Sequence, residues 1–313
     1  MGSRKFMIKV GIIGSGDWAL ALTKILTNVK IIIKARELEG LKKKFSNNKT
    51  EILLTTNFTD LNGCKFLFLA NPSQTVRENL KKIPTKINSK FVICCKGVEK
   101  GTNKLMHQVL KDLFPKNGFA ILSGPNFAAE VIKGLPTASV LSSKSNKILN
   151  EVSSIISHEK FRTYFNNDII GTQVGGAVKN VIAIAAGVII GSKLGHNAGA
   201  AIITRGLSEI IDLGVQMGAK KSTFYGLSGI GDLTLTCSSL KSRNTKLGYL
   251  LANGKNKTNQ LFEGLESCES ICKLGENFSL ELPICNAVKK ILNGSDINKI
   301  VTDLLSRPLQ FEK

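Results

Sequence analysis

Histidine is almost missing from this chain: three in 313 residues, none beside a group of cysteines or carboxylates at metal-ligand spacing. Cys268 and Cys272 share a helical face, but no nearby histidine or second pair completes a tetrahedral set, so no metal is expected. Cysteine offers no paired framework either. The seven thiols (Cys64, Cys94, Cys95, Cys237, Cys268, Cys272 and Cys285) leave one over from any full pairing, and they read as reduced thiols of a cytoplasmic protein. Arginine is scarce, at seven of 43 basic residues against 23 acidic ones, and the net charge is +20. The lysines are spread through Lys/Asn-rich pieces such as residues 42–49, with no recognition motif and no aromatic-basic stripe. Compositional drift accounts for that pattern and a nucleic-acid surface does not; what remains is a field that favours phosphorylated ligands. The apolar run at 181–191 is too short to cross a bilayer, so no membrane insertion is expected, and glycines 187, 191, 195 and 199 suit close helix packing. No signal peptide precedes the first strand: Met7 reads as the native start and residues 1–6 as an extension. No internal repeat is evident.

What is present is ordinary globular material, 42% apolar and 21% charged, enough for one large or two medium domains. Short apolar runs at 8–13, 29–33, 52–55, 66–70, 91–95, 120–122 and 138–141 read as strands. The first five alternate with helices, the pattern of a parallel doubly wound sheet. From about residue 170 the apolar spacing turns helical, through 174–190, 198–217, 246–252, 263–274 and 284–292. The expectation is an α/β domain over 7–170 followed by an all-α domain over 171–313.

Chemistry enters at the first strand end, where Ile13-Gly14-Ser15-Gly16-Asp17-Trp18-Ala19 carries a Gly-x-Gly-x-x-Ala pattern. Gly14 makes the tight turn, Gly16 lets a pyrophosphate approach the backbone at a helix N-terminus, and Ala19 permits close helix packing. Asp17 is awkward beside two phosphates and reads as a helix cap. About twenty residues on, Lys34-Ala35-Arg36 stands where an acidic residue would hold a ribose 2′-hydroxyl, so NADPH is favoured over NADH. Three further strand ends carry glycine or proline: 68–73, Cys94-Cys95-Lys96-Gly97, which puts a lysine at the switch-point crevice, and 121–130. Each alone fits a structural turn; together they point to one site.

In the second half, Lys179 and Asn180 open an otherwise apolar or small run within 175–191, at the expected head of a helix. An ammonium there costs several kcal/mol, on the order of a buried charge, unless it has a partner or a task. Glycines 175 and 176 leave the backbone bare for a flat ligand. A catalytic lysine and a lysine snorkelling to the surface are both open readings. Downstream, 229–237 with Lys241-Ser242-Arg243-Asn244 supplies groups for hydroxyls and a phosphate, or else a capped helix start with an exposed Arg-Asn pair.

Taken in order, these segments resemble the bacterial NAD(P)-dependent glycerol-3-phosphate dehydrogenase family. The carrying motifs are Gly-Ser-Gly-Asp-Trp (14–18), Lys-Gly-Val-Glu (96–99), Ser-Gly-Pro-Asn-Phe-Ala (123–128) and Gly-Gly-Ala-Val-Lys-Asn (175–180). Ile-Thr-Arg-Gly-Leu (203–207), Gly-Ile-Gly-Asp-Leu-Thr-Leu-Thr-Cys (229–237), Ser-Arg-Asn (242–244) and Phe-Glu-Gly (262–264) follow. The resemblance implies a Rossmann-type domain, a helical substrate domain, and reduction of dihydroxyacetone phosphate to sn-glycerol 3-phosphate by NAD(P)H for phospholipid synthesis. It makes Lys179 the general acid and base, with Lys96 beside it, its charge the source that keeps the Lys179 pKa down. Lys96, Gly124, Asn126, Lys179, Asn180, Asp232, Thr236, Ser242, Arg243 and Asn244 match substrate positions. Gly14, Ser15, Gly16, Asp17, Trp18, Arg36, Lys96, Ala128, Arg243, Leu261 and Glu263 match nucleotide positions. The chain departs from the usual pattern at Asp17 and Asn126, where Ser or Thr is common. The helical domain is the candidate for a homodimer face. Rival classes are a hydroxyacid or hydroxyacyl dehydrogenase, against which Arg243-Asn244 argues, and a silent NADP-binding sensor, which needs no proton donor.

Overall fold

Alternating apolar residues of the N-terminal strands divide between the two faces of one sheet, and that division positions everything else. The computed structural model describes residues 7–48, 50–255 and 261–306, so the expectation for residues 1–6 lies outside the described residues. The strands are β1 (Ile8–Ile13), β2 (Val29–Lys34), β3 (Ile52–Thr55), β4 (Phe66–Leu69), β5 (Lys90–Ile93), β6 (Phe119–Ser123), β7 (Thr137–Ser142) and β8 (Phe161–Asn166). They lie in the order β3-β2-β1-β4-β5-β6-β7-β8, parallel from β3 to β6; β7 runs antiparallel to β6, and β8 parallel to β7. Among them run helices α1 (Asp17–Ile25), α2 (Leu41–Phe45), α3 (Val76–Lys81), α4 (Met106–Leu113), α5 (Ala128–Ile132) and α6 (Asn146–Ile156). Val10, Ile12, Phe66, Phe68 and Val92 face one core, shared with α1 and α6. Their neighbours Ile13, Leu67, Leu69, Phe91 and Ile93 face the other, shared with α3 and α4. This is the period of two that a doubly covered sheet requires.

Strand β8 escapes a sequence reading because it sits at the sheet edge. Of its six residues only Phe161 is buried, while Tyr164 and Phe165 are exposed. The switch point of the sheet lies between β1 and β4, where neighbouring strands turn to opposite sides. Lys96 follows the end of the fifth strand, as expected, but β5 lies one strand beyond the switch point.

The chain divides into two compact units, one of Met1–Cys95 with Met106–Ile169 and one of Lys96–Leu105 with Ile170–Lys313. The second is helical: α7 (Ile169–Gly191), α8 (Gly195–Gln216), α9 (Asp232–Cys237), α10 (Arg243–Ala252), α11 (Glu263–Asn277), α12 (Pro283–Leu292) and α13 (Ile297–Leu305). Helix α7 is its axis. A Cβ at Gly187 would lie 1.9 Å from the Thr245 carbonyl oxygen, and one at Gly248 would lie 1.9 Å from that of Ile184, so α7 and α10 touch backbone to backbone. Gly191 packs the same way, whereas Gly195 and Gly199 face open space and have no packing role. At 23 residues α7 is long and apolar enough to cross a bilayer, contrary to the shorter run read from sequence, but most of it is buried within this unit.

A buried carboxylate fastens two of these helices. Glu209 on α8 accepts the backbone N–H groups of Ile284 (2.5 Å) and Cys285 (3.1 Å) in the first turn of α12. Burial nevertheless pushes its pKa up from 4.5 to about 7. The unfolded chain therefore ionises this group more readily, and stability should fall as pH rises from about 4.5 to about 7, then level off. The loss is on the order of 3 kcal/mol. Glu209→Gln should remove that slope, so that urea midpoints at acid and alkaline pH favour the variant increasingly as pH rises; a constant difference would contradict it.

Candidate active site

The first unit builds an open helix N-terminus at the switch point. Gly14 has φ +116°, and a Cβ there would stand 2.8 Å from the Ala70 carbonyl oxygen and 2.9 Å from the Asn71 nitrogen. Only glycine lets the chain turn out of β1 this close to the end of β4. Gly16 is the N-cap of α1, makes no side-chain cap, and has nothing within 4 Å of its would-be Cβ. No side chain caps the N-terminus of α1, as a pyrophosphate there needs. Asp17 is not the cap: it stands in the first turn, with one oxygen 2.9 Å from Lys44 Nζ.

Buried polar atoms of this unit without a partner among the described residues include Trp18 Nε1, Asn71 Oδ1, Ser123 Oγ and Asn126 Oδ1. Such atoms are costly unless a ligand meets them, and with the bare helix terminus they fit a nicotinamide dinucleotide. Gly124 (φ +143°) and Asn126 follow β6, and Asn126 Nδ2 donates to Ser139 Oγ at 2.8 Å. Ala128 opens α5. At the end of β2, Lys34 Nζ lies 4.1 Å over the Phe58 ring, and burial first, then Lys82, holds its pKa below the ordinary range. Arg36 is 93% exposed, with Glu37 3.5 Å away, so it and not Lys34 is the cation able to reach out.

The second unit gathers two lysines on one carboxylate. Lys179 lies in the middle of α7, not at its head, and is only 6% exposed; the snorkelling reading fails. Its Nζ donates to Asp232 Oδ1 (2.5 Å) and Thr236 Oγ1 (2.7 Å), both on α9. Thr236 Oγ1 in turn donates to the Asp232 carbonyl oxygen at 2.6 Å. Lys96 Nζ holds the other oxygen, Asp232 Oδ2, at 2.6 Å. Two ammonium groups meet on this one carboxylate, an arrangement that suits an anionic substrate. Burial lowers the Lys179 pKa to about 8, Asp232 opposes that shift, and Lys96 adds to it. Lys96 lowers this pKa as expected, and desolvation is the larger cause.

Residues invisible as functional in the sequence fix this group. The Val98 N–H donates to Ser267 Oγ (3.2 Å) and Ser270 Oγ donates to the Glu99 carbonyl oxygen (3.2 Å), tying the segment behind Lys96 to α11. Both serines are buried in an otherwise amphipathic helix, their one sequence signal. Gly175, read as bare backbone for a ligand, instead abuts Ser228, whose carbonyl oxygen would be 2.3 Å from a Cβ.

Ser242 caps α10 by accepting the Thr245 N–H, and Arg243 is exposed in the first turn. Asn244 is buried, with Nδ2 donating to Asn180 Oδ1 and Oδ1 accepting the Gly264 N–H, each at 3.0 Å. Asn180 and Asn244 thus lock α7, α10 and α11 together. Leu261 is exposed and Glu263 begins α11.

A family model described as the N-terminus of NAD-dependent glycerol-3-phosphate dehydrogenase matches residues 9–149, and one described as its C-terminus matches 168–302. A relative from Parvibaculum lavamentivorans, named glycerol-3-phosphate dehydrogenase [NAD(P)+], is 36% identical across 97% of this chain and 98% of its own. One of the same name from Clostridium perfringens is 35% identical across 98% and 100%. The solved structure of glycerol-3-phosphate dehydrogenase from Coxiella burnetii superposes with a TM-score of 0.89 at 31% identity, covering 96% of this chain and all of that one. The yeast enzyme structure, at 22% identity and a TM-score of 0.79 over 96% and 99%, shares the fold.

Proposed function

The chain belongs to the NAD-dependent glycerol-3-phosphate dehydrogenase family, and on that premise we propose that it interconverts dihydroxyacetone phosphate and sn-glycerol 3-phosphate with Lys179 as proton donor and acceptor. The observation that carries the reading is the buried Lys179–Asp232–Lys96 group. The bound nicotinamide supplies or accepts the hydride. Gly14, Gly16 and the first turn of α1 hold the dinucleotide phosphates. Lys179 Nζ gives its proton to the oxygen that becomes the alcohol and takes it back in oxidation. Thr236 and Asp232 aim that Nζ, and the two oxygens of Asp232 accept from Lys179 and Lys96. Lys96 adds positive charge where the alkoxide develops. Oxidation of NADPH, followed by absorbance on adding dihydroxyacetone phosphate, tests the reading; no turnover with the phosphate ester, or equal turnover with 2-hydroxyacid ketones, overturns it.

The NADPH preference we propose rests on Arg36, an exposed cation just past the end of β2, where the sequence pattern puts the ribose contact. Arg36→Asp should weaken NADPH roughly tenfold or more while sparing NADH, since a charged hydrogen bond contributes about 1.5–3 kcal/mol. Titrating both cofactors decides it, and equal losses would count against Arg36. The product would serve phospholipid synthesis. None of the seven cysteines is joined in a disulfide among the described residues. Exposed Ile190 and Leu194, at the turn between α7 and α8, support a homodimer face on the helical unit, which sedimentation would detect.

A further inference from the structure

Asp17 places a carboxylate in the first turn of the helix that meets the dinucleotide phosphates. Alone, a carboxylate there is favourable, because it complements the positive end of the helix. Once a pyrophosphate arrives, the same carboxylate repels it, and the helix field is already partly neutralised. This chain keeps the carboxylate and sets Lys44 Nζ 2.9 Å from it.

Lys44 is not a loose surface cation. Its side chain is 29% exposed against 79% for Asp17, so its stem is covered while the carboxylate it meets is open. The turn that carries it is stitched to α1. Phe45 is buried, Thr23 Oγ1 donates to Asn48 Oδ1 at 2.9 Å, Asn48 Nδ2 returns to the Phe45 carbonyl oxygen at 2.8 Å, and Lys24 Nζ bonds the Asn47 carbonyl oxygen. Buried Phe45, the Lys24–Asn47 bond and the Thr23 hydroxyl, which Asn48 shares with the Leu20 carbonyl oxygen, hold this turn against the flank of α1 and bring Lys44 to the helix start.

We infer that Lys44 is a cofactor-positioning residue: it neutralises Asp17 so that the N-terminus of α1 can accept the dinucleotide pyrophosphate. The inference rests on the dinucleotide reading of that helix. Affinity should then depend on the pair and not on either charge alone. With Asp17 present, Lys44→Ala leaves a bare negative charge beside the phosphates; with Asp17 also neutralised, the loss of Lys44 no longer matters.

The test is a double-mutant cycle read by NADPH binding, with emission from Trp18, the chain's one tryptophan and the neighbour of Asp17, as reporter and calorimetry as a second measure. Lys44→Ala should raise the NADPH Kd about fivefold or more at low ionic strength, and less as salt is added. Asp17→Asn should bind at least as tightly as wild type, and in that background Lys44→Ala should change Kd by less than about twofold. Lys44→Arg should keep most of the affinity, and the losses should fall in Kd and KM, not in kcat. A similar loss from Lys44→Ala in both backgrounds would mean that Lys44 acts on the phosphates directly, and no loss in either would mean that it does not act at all; both overturn the inference. If the wild-type chain binds no NADPH, the dinucleotide reading itself fails. Binding and turnover in wild type without coupling in the cycle defeat only the role of Lys44.

Discussion

Lys179→Ala should lower kcat for dihydroxyacetone phosphate reduction by about a hundredfold or more, the usual scale of lost general acid catalysis, while NADPH affinity stays nearly intact. The split follows from placement. Lys179 is on α7 with Asp232 and Thr236 as its partners, and the glycine turn of β1 does not involve it. Lys179→Arg should not restore the rate, because a guanidinium hardly releases its proton near neutrality. A loss below about threefold would remove Lys179 from the chemistry. The same assignment fixes a pH profile. With the pKa lowered to about 8 by burial, the ammonium needed for ketone reduction disappears as pH rises through that value, so kcat/KM for reduction should fall. Oxidation of sn-glycerol 3-phosphate needs the neutral amine and should rise across the same range. Initial rates in both directions read the two limbs, and parallel profiles would contradict the role.

Much of this was legible in the residues. Gly14 declares a turn, because its positive φ and the nearby Ala70 and Asn71 backbone exclude other residues. Lys179 announces itself by the cost of an ammonium in an apolar helix. Its partner was harder to read: Asp232 lies 53 residues away, and only the fold brings α9 against α7. Gly175 shows the opposite error, since a bare backbone serves close packing on Ser228 as well as it serves a ligand. Asp17 was misread as a cap because capping is a local rule, and the residue that answers it, Lys44, lies within a lysine-rich tract that carried no signal of its own. Strand β8 was lost because an edge strand with one buried face has no apolar run to find.

Arg243→Ala should cut kcat/KM for dihydroxyacetone phosphate by about a hundredfold or more, roughly 3 kcal/mol, and barely alter the poor activity on unphosphorylated dihydroxyacetone. The selectivity follows from what holds Arg243 and what leaves it free. Ser242 spends its hydroxyl on capping α10, and Asn244 spends both ends of its amide on Asn180 and Gly264. Thr245 Oγ1 donates to the Thr236 carbonyl oxygen at 2.7 Å, which ties the start of α10 to the helix that carries Asp232. Arg243 is exposed on that anchored turn, and its planar fork can give two parallel hydrogen bonds to a dianion. Asn244→Ala should behave differently. It would loosen three helices together and lower the melting temperature, hurting both substrates by a similar factor. The comparison belongs at saturating NADPH, because Arg243 also matches a nucleotide position. If Arg243→Ala lowers both substrates equally under that condition, it is not the phosphate anchor, and Lys96, the other cation on Asp232, becomes the group to test.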